Sequence, residues 1–274
     1  LVCDDLAVGF AMYGNGGMNT DYDSNPYARY GSTGNSRMNL EQLFIVPAVA
    51  WEFSPGHTIG LALNLAYQRF EVKGLSAFAP FSADPANLEH NDGDNSFGAG
   101  VRIGWLGEIT GRLTLGASWQ SRTYMQRFDK YAGLFAGQGE FDIPENYVIG
   151  AAFRLGDATT LGLDWQTIKY NDIDSVGNNL HQLFLGNPLG SDNGPGFGWR
   201  DMSTLKLAVL HQLSDRVTLR AGYSQGDQPI PRDETFFNLI APGVVEEHVS
   251  VGATFAVDER SEVSVAYTRG LETE

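Results

Sequence analysis

Val249-Ser250-Val251-Gly252-Ala253-Thr254-Phe255-Ala256-Val257 places an apolar side chain at every second position and a small or polar one between. Successive side chains of an extended chain point to opposite faces, so this stretch reads as a strand with one apolar face and one small, polar face. The pattern repeats along the chain. Leu161, Leu163 and Trp165 interleave with Gly162, Asp164 and Gln166; Val217, Leu219, Ala221 and Tyr223 interleave with Thr218, Arg220, Gly222 and Ser224. Phe97, Ala99, Val101, Ile103 and Trp105 alternate in the same way, as do Tyr147, Ile149, Ala151, Phe153 and Leu155. No stretch carries a helical period.

Eleven such segments follow one another, over 5–13, 41–53, 57–72, 96–106, 111–125, 143–155, 159–171, 201–213, 216–226, 246–257 and 261–270. Strands of soluble domains average about 5–6 residues, whereas strands that cross a membrane need about 9–11. Most of these segments have the longer size. Their connections alternate as well. Short ones lie at Ser54-Pro55-Gly56, 107–110, 156–158, Ser214-Asp215 and 258–260. Long ones, rich in Gly, Asn, Asp and Pro, lie at 14–40, 73–95, 126–142, 172–200 and 227–245. One tight rim and one elaborated rim are what an antiparallel up-and-down transmembrane β-barrel produces.

Composition closes off the other classes. Among 274 residues, 18 Lys and Arg stand against 33 Asp and Glu, a formal net charge of −15, so no basic face is available for nucleic acid. A single cysteine, Cys3, excludes an internal disulfide framework and any CxxC metal module. No uncharged apolar run approaches the roughly 20 residues of a membrane helix. Aromatic residues mark both ends of the apolar face: Trp51, Phe53, Trp105, Phe153 and Phe255 near the short turns, Tyr67, Phe97, Trp119, Tyr147, Trp165 and Tyr223 toward the long loops. Phe97 and Trp105 project to roughly 20 Å apart along the barrel axis, close to the ~25 Å apolar band of such barrels. A soluble β-sandwich or propeller is the competing architecture; it leaves the strand lengths and one-sided loops unexplained.

Eleven strands leave a bacterial barrel one short of an even count. Leu1–Asp5 reads as neither a start nor a targeting segment, and Gly270–Glu274 lacks a terminal aromatic strand. The expectation is one domain, 1–274, forming part of an outer-membrane barrel that is cut at both ends.

Three stretches carry a family likeness: Ile45-Val46-Pro47-Ala48-Val49-Ala50-Trp51-Glu52-Phe53 with Ile59–Asn64 after the turn; Phe141-Asp142-Ile143-Pro144-Glu145-Asn146-Tyr147 through Leu155; and Leu219–Pro231 followed by Ile240–His248. In their order and spacing the chain resembles the FadL-type outer-membrane transporters of long-chain fatty acids and other hydrophobic compounds. That resemblance implies a fourteen-stranded barrel plugged by an N-terminal hatch. Hatch, first two strands and last strand would then lie outside residues 1–274. It implies a bacterial outer-membrane location and passive transport, with no reaction catalysed and no cofactor. The partners it implies are a hydrophobic small molecule, outer-membrane lipid and lipopolysaccharide, bound by a monomer.

The candidate site residues follow a transport route. An exposed apolar loop patch can catch a hydrophobic solute at ~0.8 kcal/mol per buried CH₂. Leu75, Phe78, Ala79, Pro80 and Phe81 in one long loop, and Tyr131, Leu134 and Phe135 in another, offer such a patch. In the family the corresponding loops form an outer capture groove; packing of the loops on each other is the plainer alternative. By alternation Arg102, Arg122, Arg154, Lys206 and Arg220 point inward, where a guanidinium binds a carboxylate through paired charge-assisted hydrogen bonds. Arg102 and Arg122 are the ligand candidates; salt bridges to lumen carboxylates such as Glu52 and Asp164 are the alternative for most of the set. The resemblance also implies sideways release at a kink, here around Gly14, Gly16 and Gly17, unless these glycines merely begin the long loop. Glycine in a strand permits a bulge or a break in pairing.

Other signals are weak. Glu89, His90 and Asn91–Asn95 are oxygen-rich but lack a calcium-loop pattern. His57, His90, His181, His211 and His248 have no metal-ligand spacing, and no metal is expected. Gly98 and Gly100 lack the following helix of a nucleotide loop. Beyond a hydrophobic-compound transporter, the open alternatives are a general diffusion porin, an outer-membrane lipid hydrolase and an adhesive barrel.

Overall fold

The computed structural model describes residues 5–258 and 261–272. Cys3 and part of the last expected turn, Glu259 and Arg260, lie outside the described residues. The strands are β1 Leu6–Tyr22, β2 Ser36–Ser54, β3 His57–Lys73, β4 His90–Thr110, β5 Leu113–Gln120, β6 Tyr124–Met125, β7 Asn146–Leu155, β8 Thr159–Ile168, β9 Met202–Ser214, β10 Val217–Gly226, β11 Glu247–Ala256 and β12 Glu262–Gly270. All join one antiparallel sheet in which each long strand pairs with the next, while the two-residue β6 pairs with β4 beyond the end of β5. The expected segment 111–125 is therefore two strands, broken at 121–123.

Period-two alternation places the side chains as the sequence dictates. On β3, Asn64, Ala66, Gln68, Phe70 and Val72 are buried on the inner face, while Leu61, Leu63 and Leu65 stay exposed on the outer one. An outer face of exposed Leu, Val, Ile, Phe and Trp suits lipid contact. The girdle residues Trp51, Phe53, Phe97, Tyr147, Phe153, Trp165 and Phe255 are all exposed there. Tyr67 and Phe97, paired across β3 and β4, sit 5.3 Å apart between ring centroids. No helix among the described residues is long and apolar enough to cross a membrane; the crossing elements are strands.

Tight turns line one rim at Pro55-Gly56, Gly111-Arg112, 156–158 and Asp215-Arg216. Gly56 (φ +75°) and Gly156 (φ +71°) supply the left-handed backbone that two of them need. The turn expected at 107–110 lies at 111–112 instead. Gly107 and Glu108 still pair with β5, and the Thr110 hydroxyl accepts the N–H groups of Arg112 (3.2 Å) and Leu113 (3.0 Å), which fixes the reversal there.

Strand length differs around the sheet. Ten residues at ~3.3 Å each and ~40° tilt span about 25 Å, one bilayer core. β7, β8, β10 and β11 have 10 residues, whereas β1 to β4 have 17 to 21. The surplus rises on the long-loop side as a wall that supports the loops. β1 therefore runs on to Tyr22 and β2 begins at Ser36, so the first long loop is 23–35 and not 14–40.

The sheet rolls up on itself. Thr20 Oγ1 donates to Ile240 O at 2.8 Å, Tyr22 Oη to Leu239 O at 2.6 Å and Tyr27 Oη to Phe236 O at 3.0 Å, linking the β1–β2 end to the β10–β11 loop across the opening. It is not closed: among the described residues no ladder joins β12 to β1.

Candidate functional site

The apolar core lies at the long-loop end, between the raised strands and the loops that fold over them. Met38, Phe70 and Val72 contribute from the strands; Tyr27, Leu75, Phe78, Tyr131, Phe135 and Ile240 contribute from the loops. Phe70, fully buried on β3, meets four rings: Tyr131 and Phe135 at 4.8 Å, Phe128 at 5.9 Å and Phe141 at 6.5 Å. Phe78 meets Tyr27 at 5.0 Å, Phe237 at 5.3 Å and Phe236 at 5.8 Å. The Tyr131 phenol is satisfied inside this core, donating to His90 O (3.1 Å) and accepting the Val72 N–H (3.2 Å). Burial pushes its pKa up to about 12 and raises that of Tyr27 further.

This placement has the two loops packed on each other, the plainer of the two expectations. Leu75, Phe78, Tyr131 and Phe135 are buried and Ala79 and Leu134 are partly buried; Pro80 and Phe81, the latter 54% exposed, face out. The apolar loop residues turn inward because the raised wall of β2 and β3 offers them Met38, Phe70 and Val72 to cover. Sequence could not show that wall.

Two cavities lie under and within this cap. A small one of about 40 Å³ has an apolar lining that includes Tyr27, Phe70, Phe78, Phe135, Phe197 and Ile240. A larger one of about 310 Å³ lies beside it, at the lower end of the range for small-molecule pockets. Its wall mixes Met18, Met38, Phe141 and Trp199 with the carboxamides of Asn15, Gln42, Gln120, Asn146 and Gln166. Lower still, the inner faces of β3 to β8 are so rich in glycine, with Gly60, Gly104, Gly116, Gly150 and Gly162, that a wide hollow of about 560 Å³ remains.

Gly14, Gly16 and Gly17 do not begin a loop. They sit inside β1, where Gly14 pairs with Leu43 and Gly16 with Gln42, leaving Asn15 as an extra residue in a bulge. Asn15 Nδ2 donates to Gln42 Oε1 at 3.2 Å across it. Asn15, Gly16 and Gly17 line the 310 Å³ cavity, so the bulge borders it directly.

The basic residues separate by partner. Arg122, in the break after β5, gives Nε to Asp142 Oδ2 at 2.6 Å and Nη2 to Glu140 Oε1 at 2.5 Å. It is committed to carboxylates of its own loop, which opposes the expectation that it binds a ligand. Arg102, on β4, reaches only the neutral Gln120 Oε1 and Tyr13 Oη groups, and none of the ion pairs among the described residues includes it. Lys206 donates to Gln166 Oε1 at 2.8 Å, and Arg220 donates to Thr254 Oγ1. Glu52 caps the Pro55-Gly56 turn by accepting the Gly56 N–H, and none of the ion pairs among the described residues includes Glu52 or Asp164.

The oxygen-rich segment 91–95 lies in β4, and Lys130 Nζ occupies Asp92 Oδ2 and Gly93 O, both at 2.8 Å. Among the described residues no three His, Cys, Asp or Glu side chains come together as a metal site. Sequence reasoning missed Phe197, Trp199 and Ile240, which reach the cavities from two further loops. It also missed the carboxamides; Gln42 and Gln120 were legible from strand alternation as inward positions.

Solved structures share the fold. The P. putida toluene transporter TodX superposes with a TM-score of 0.70 at 15% identity, over 98% of this chain and 73% of that one. The Ralstonia pickettii toluene transporter TbuX gives 0.69 at 14% identity, over 98% and 74%. A Pseudomonas aeruginosa FadL homologue gives 0.68 at 16% identity, over 97% and 66%. Against the curated proteins the sequence has no match. The model of the outer membrane protein transport protein family (OMPP1/FadL/TodX) matches residues 1–274, and the chain, an outer-membrane transport protein and not an enzyme, belongs to that family.

Proposed function

We propose that this transport protein passes amphiphilic molecules, with an apolar body and a carboxylate such as long-chain fatty acids carry, through the loop cap into the 310 Å³ cavity and out sideways at the β1 bulge. Phe81 and the partly buried Leu134 make the first contact, the cap core of Leu75, Phe78, Tyr131 and Phe135 parts to admit the apolar body, and Gly14, Gly16 and Gly17 leave the exit unobstructed. The outward apolar band faces lipid and lipopolysaccharide, and the chain works as a monomer.

The observation that carries this reading is Arg102. Its guanidinium is hydrogen-bonded to Gln120, which lines the cavity, and its partners among the described residues are all neutral. A half-buried cation with no counter-ion is a ready partner for a carboxylate, whose charge-assisted hydrogen bonds contribute about 1.5–3 kcal/mol. A pure hydrocarbon has no carboxylate to offer it and gains no charge-assisted hydrogen bond. The structural neighbours named as toluene transporters supply the contrast for the test.

Binding of labelled oleate and of toluene is measured on the intact protein in detergent, with Arg102→Leu alongside. The expected result is saturable oleate binding that falls about tenfold or more in the variant, with toluene binding unchanged. Toluene binding without oleate binding in the parent protein refutes the carboxylate assignment.

A further inference from the structure

We infer that Phe197 is the internal gate between the apolar cap pocket and the cavity beneath it, and that its side chain sets the size of solute that passes; this rests on the transport route proposed above. Phe70 and Phe197 line both the 40 Å³ pocket and the 310 Å³ cavity, so together they form a partition on the route.

The two rings differ in freedom. Phe70 belongs to the long strand β3 and is wedged among four rings, so turning it would break the centre of the core. Phe197 is half-buried and has no ring partner among the described residues. Its backbone, by contrast, is fastened. Gly196 N and Gly198 N both donate to Asn178 O, at 2.9 and 3.0 Å, Phe197 N donates to Ser175 O at 3.3 Å, and Phe197 O accepts Asn238 Nδ2 at 2.7 Å.

The flanking glycines are required by this fastening. A Cβ on Gly196 would lie 2.5 Å from Ser175 O, and Gly198 holds φ +70° against the Glu234 side chain. Phe197 packs at the edge of the cap core with its backbone fastened and no ring stacked on it, so it opens by rotation about its side-chain torsions, not by movement of the loop. Side-chain torsions have discrete staggered wells, and in the gate one rotamer sets the ring across the passage while another sets it aside. Phe70 is the fixed jamb and Phe197 the moving leaf.

The test uses the intact protein in outer membranes and follows uptake of benzene, naphthalene and oleate, with Phe197→Ala, Phe197→Leu and Phe197→Trp alongside the parent. Phe197→Ala is expected to raise flux several-fold, with the largest gain for naphthalene, and Phe197→Trp to lower it several-fold. Phe197→Leu should lie between parent and Ala. Opposite effects from enlarging and shrinking one side chain are not what a folding defect produces. Parental uptake that none of the three changes alters overturns the gate and leaves the transport route standing. Parental uptake no greater than that of cells lacking the protein overturns the transport route and the gate together.

Discussion

Replacing Arg122 by Met should loosen the loop cap by about 3 kcal/mol. The guanidinium is 26% exposed and holds two carboxylates: Asp142, 3% exposed, and Glu140, 37% exposed. Its Nη1 also donates to Asp172 O at 3.3 Å, tying the 126–145 loop to the next one. Exposed ion pairs contribute about 0–1 kcal/mol, so Glu140 adds little. Removing one partner of a buried pair costs about 3–5 kcal/mol, because the remaining charge is stranded. Among the described residues Asp142 would keep only the Met125 N–H, at 2.7 Å. The partial solvent access of Arg122 places the sum near the low end, about 3 kcal/mol, or roughly a hundredfold in an opening equilibrium. Hydrogen exchange at the Met125 amide reads that opening directly. The expected result is a loss of protection of about two orders of magnitude at Met125 and its neighbours, with β8 to β11 unaffected. Arg122→Met with Asp142→Asn should recover most of it, since no charge is then stranded. A loss below about tenfold, or no recovery in the double variant, refutes the assignment of Arg122 as the clamp of the cap.

Three further outcomes follow from the geometry. Phe135→Asp strands a charge in the ring cluster around Phe70 and should abolish the ordered cap, read as loss of loop protection, whereas Phe81→Asp, at an exposed position, should leave protection intact and slow only uptake. Gly16→Val sets a branched side chain where a Cβ already lies 3.1 Å from Gln42 Oε1, narrowing the cavity at the bulge; uptake should fall several-fold while barrel stability, by heat-modified gel mobility, stays within about 1 kcal/mol. Burial raises the pKa of Glu234, whose Oε2 accepts the Leu180 N–H at 3.0 Å. A raised pKa means the folded state holds the proton more tightly, so its stabilising share is full below the ordinary carboxylate range and is lost as pH rises through the raised value. Glu234→Gln should therefore melt above the parent at pH 7 and converge with it at pH 4; a gap that widens on acidification refutes the sign.

Strand existence and facing were legible in the residues because both depend on a local rule. Alternation is a property of extended backbone, so Leu61, Leu63 and Leu65 face out and Asn64, Gln68 and Phe70 face in wherever the strand sits. The lipid-facing girdle, the short-turn rim and the inward Arg102 follow from the same rule. The family likeness has a different source, the particular residues of Ile45–Phe53, Phe141–Leu155 and Leu219–Pro231 in their order and spacing.

Tertiary structure decided what lies between distant segments. Nothing near Gly14 says whether it begins a loop or continues a strand; its pairing with Leu43, and the bulge that leaves Asn15 unpaired, come from β2. The apolar residues of the 74–89 and 126–145 loops could have faced water or each other. They face inward because β2 and β3 overshoot the bilayer and present Met38, Phe70 and Val72 to be covered. Arg102 and Arg122 look alike in sequence, and only the fold gives one a pair of carboxylates and the other neutral groups. A strand's periodicity is fixed by its own backbone; the partner of a charge, and the cavity an aromatic ring closes, are fixed by chain many residues away.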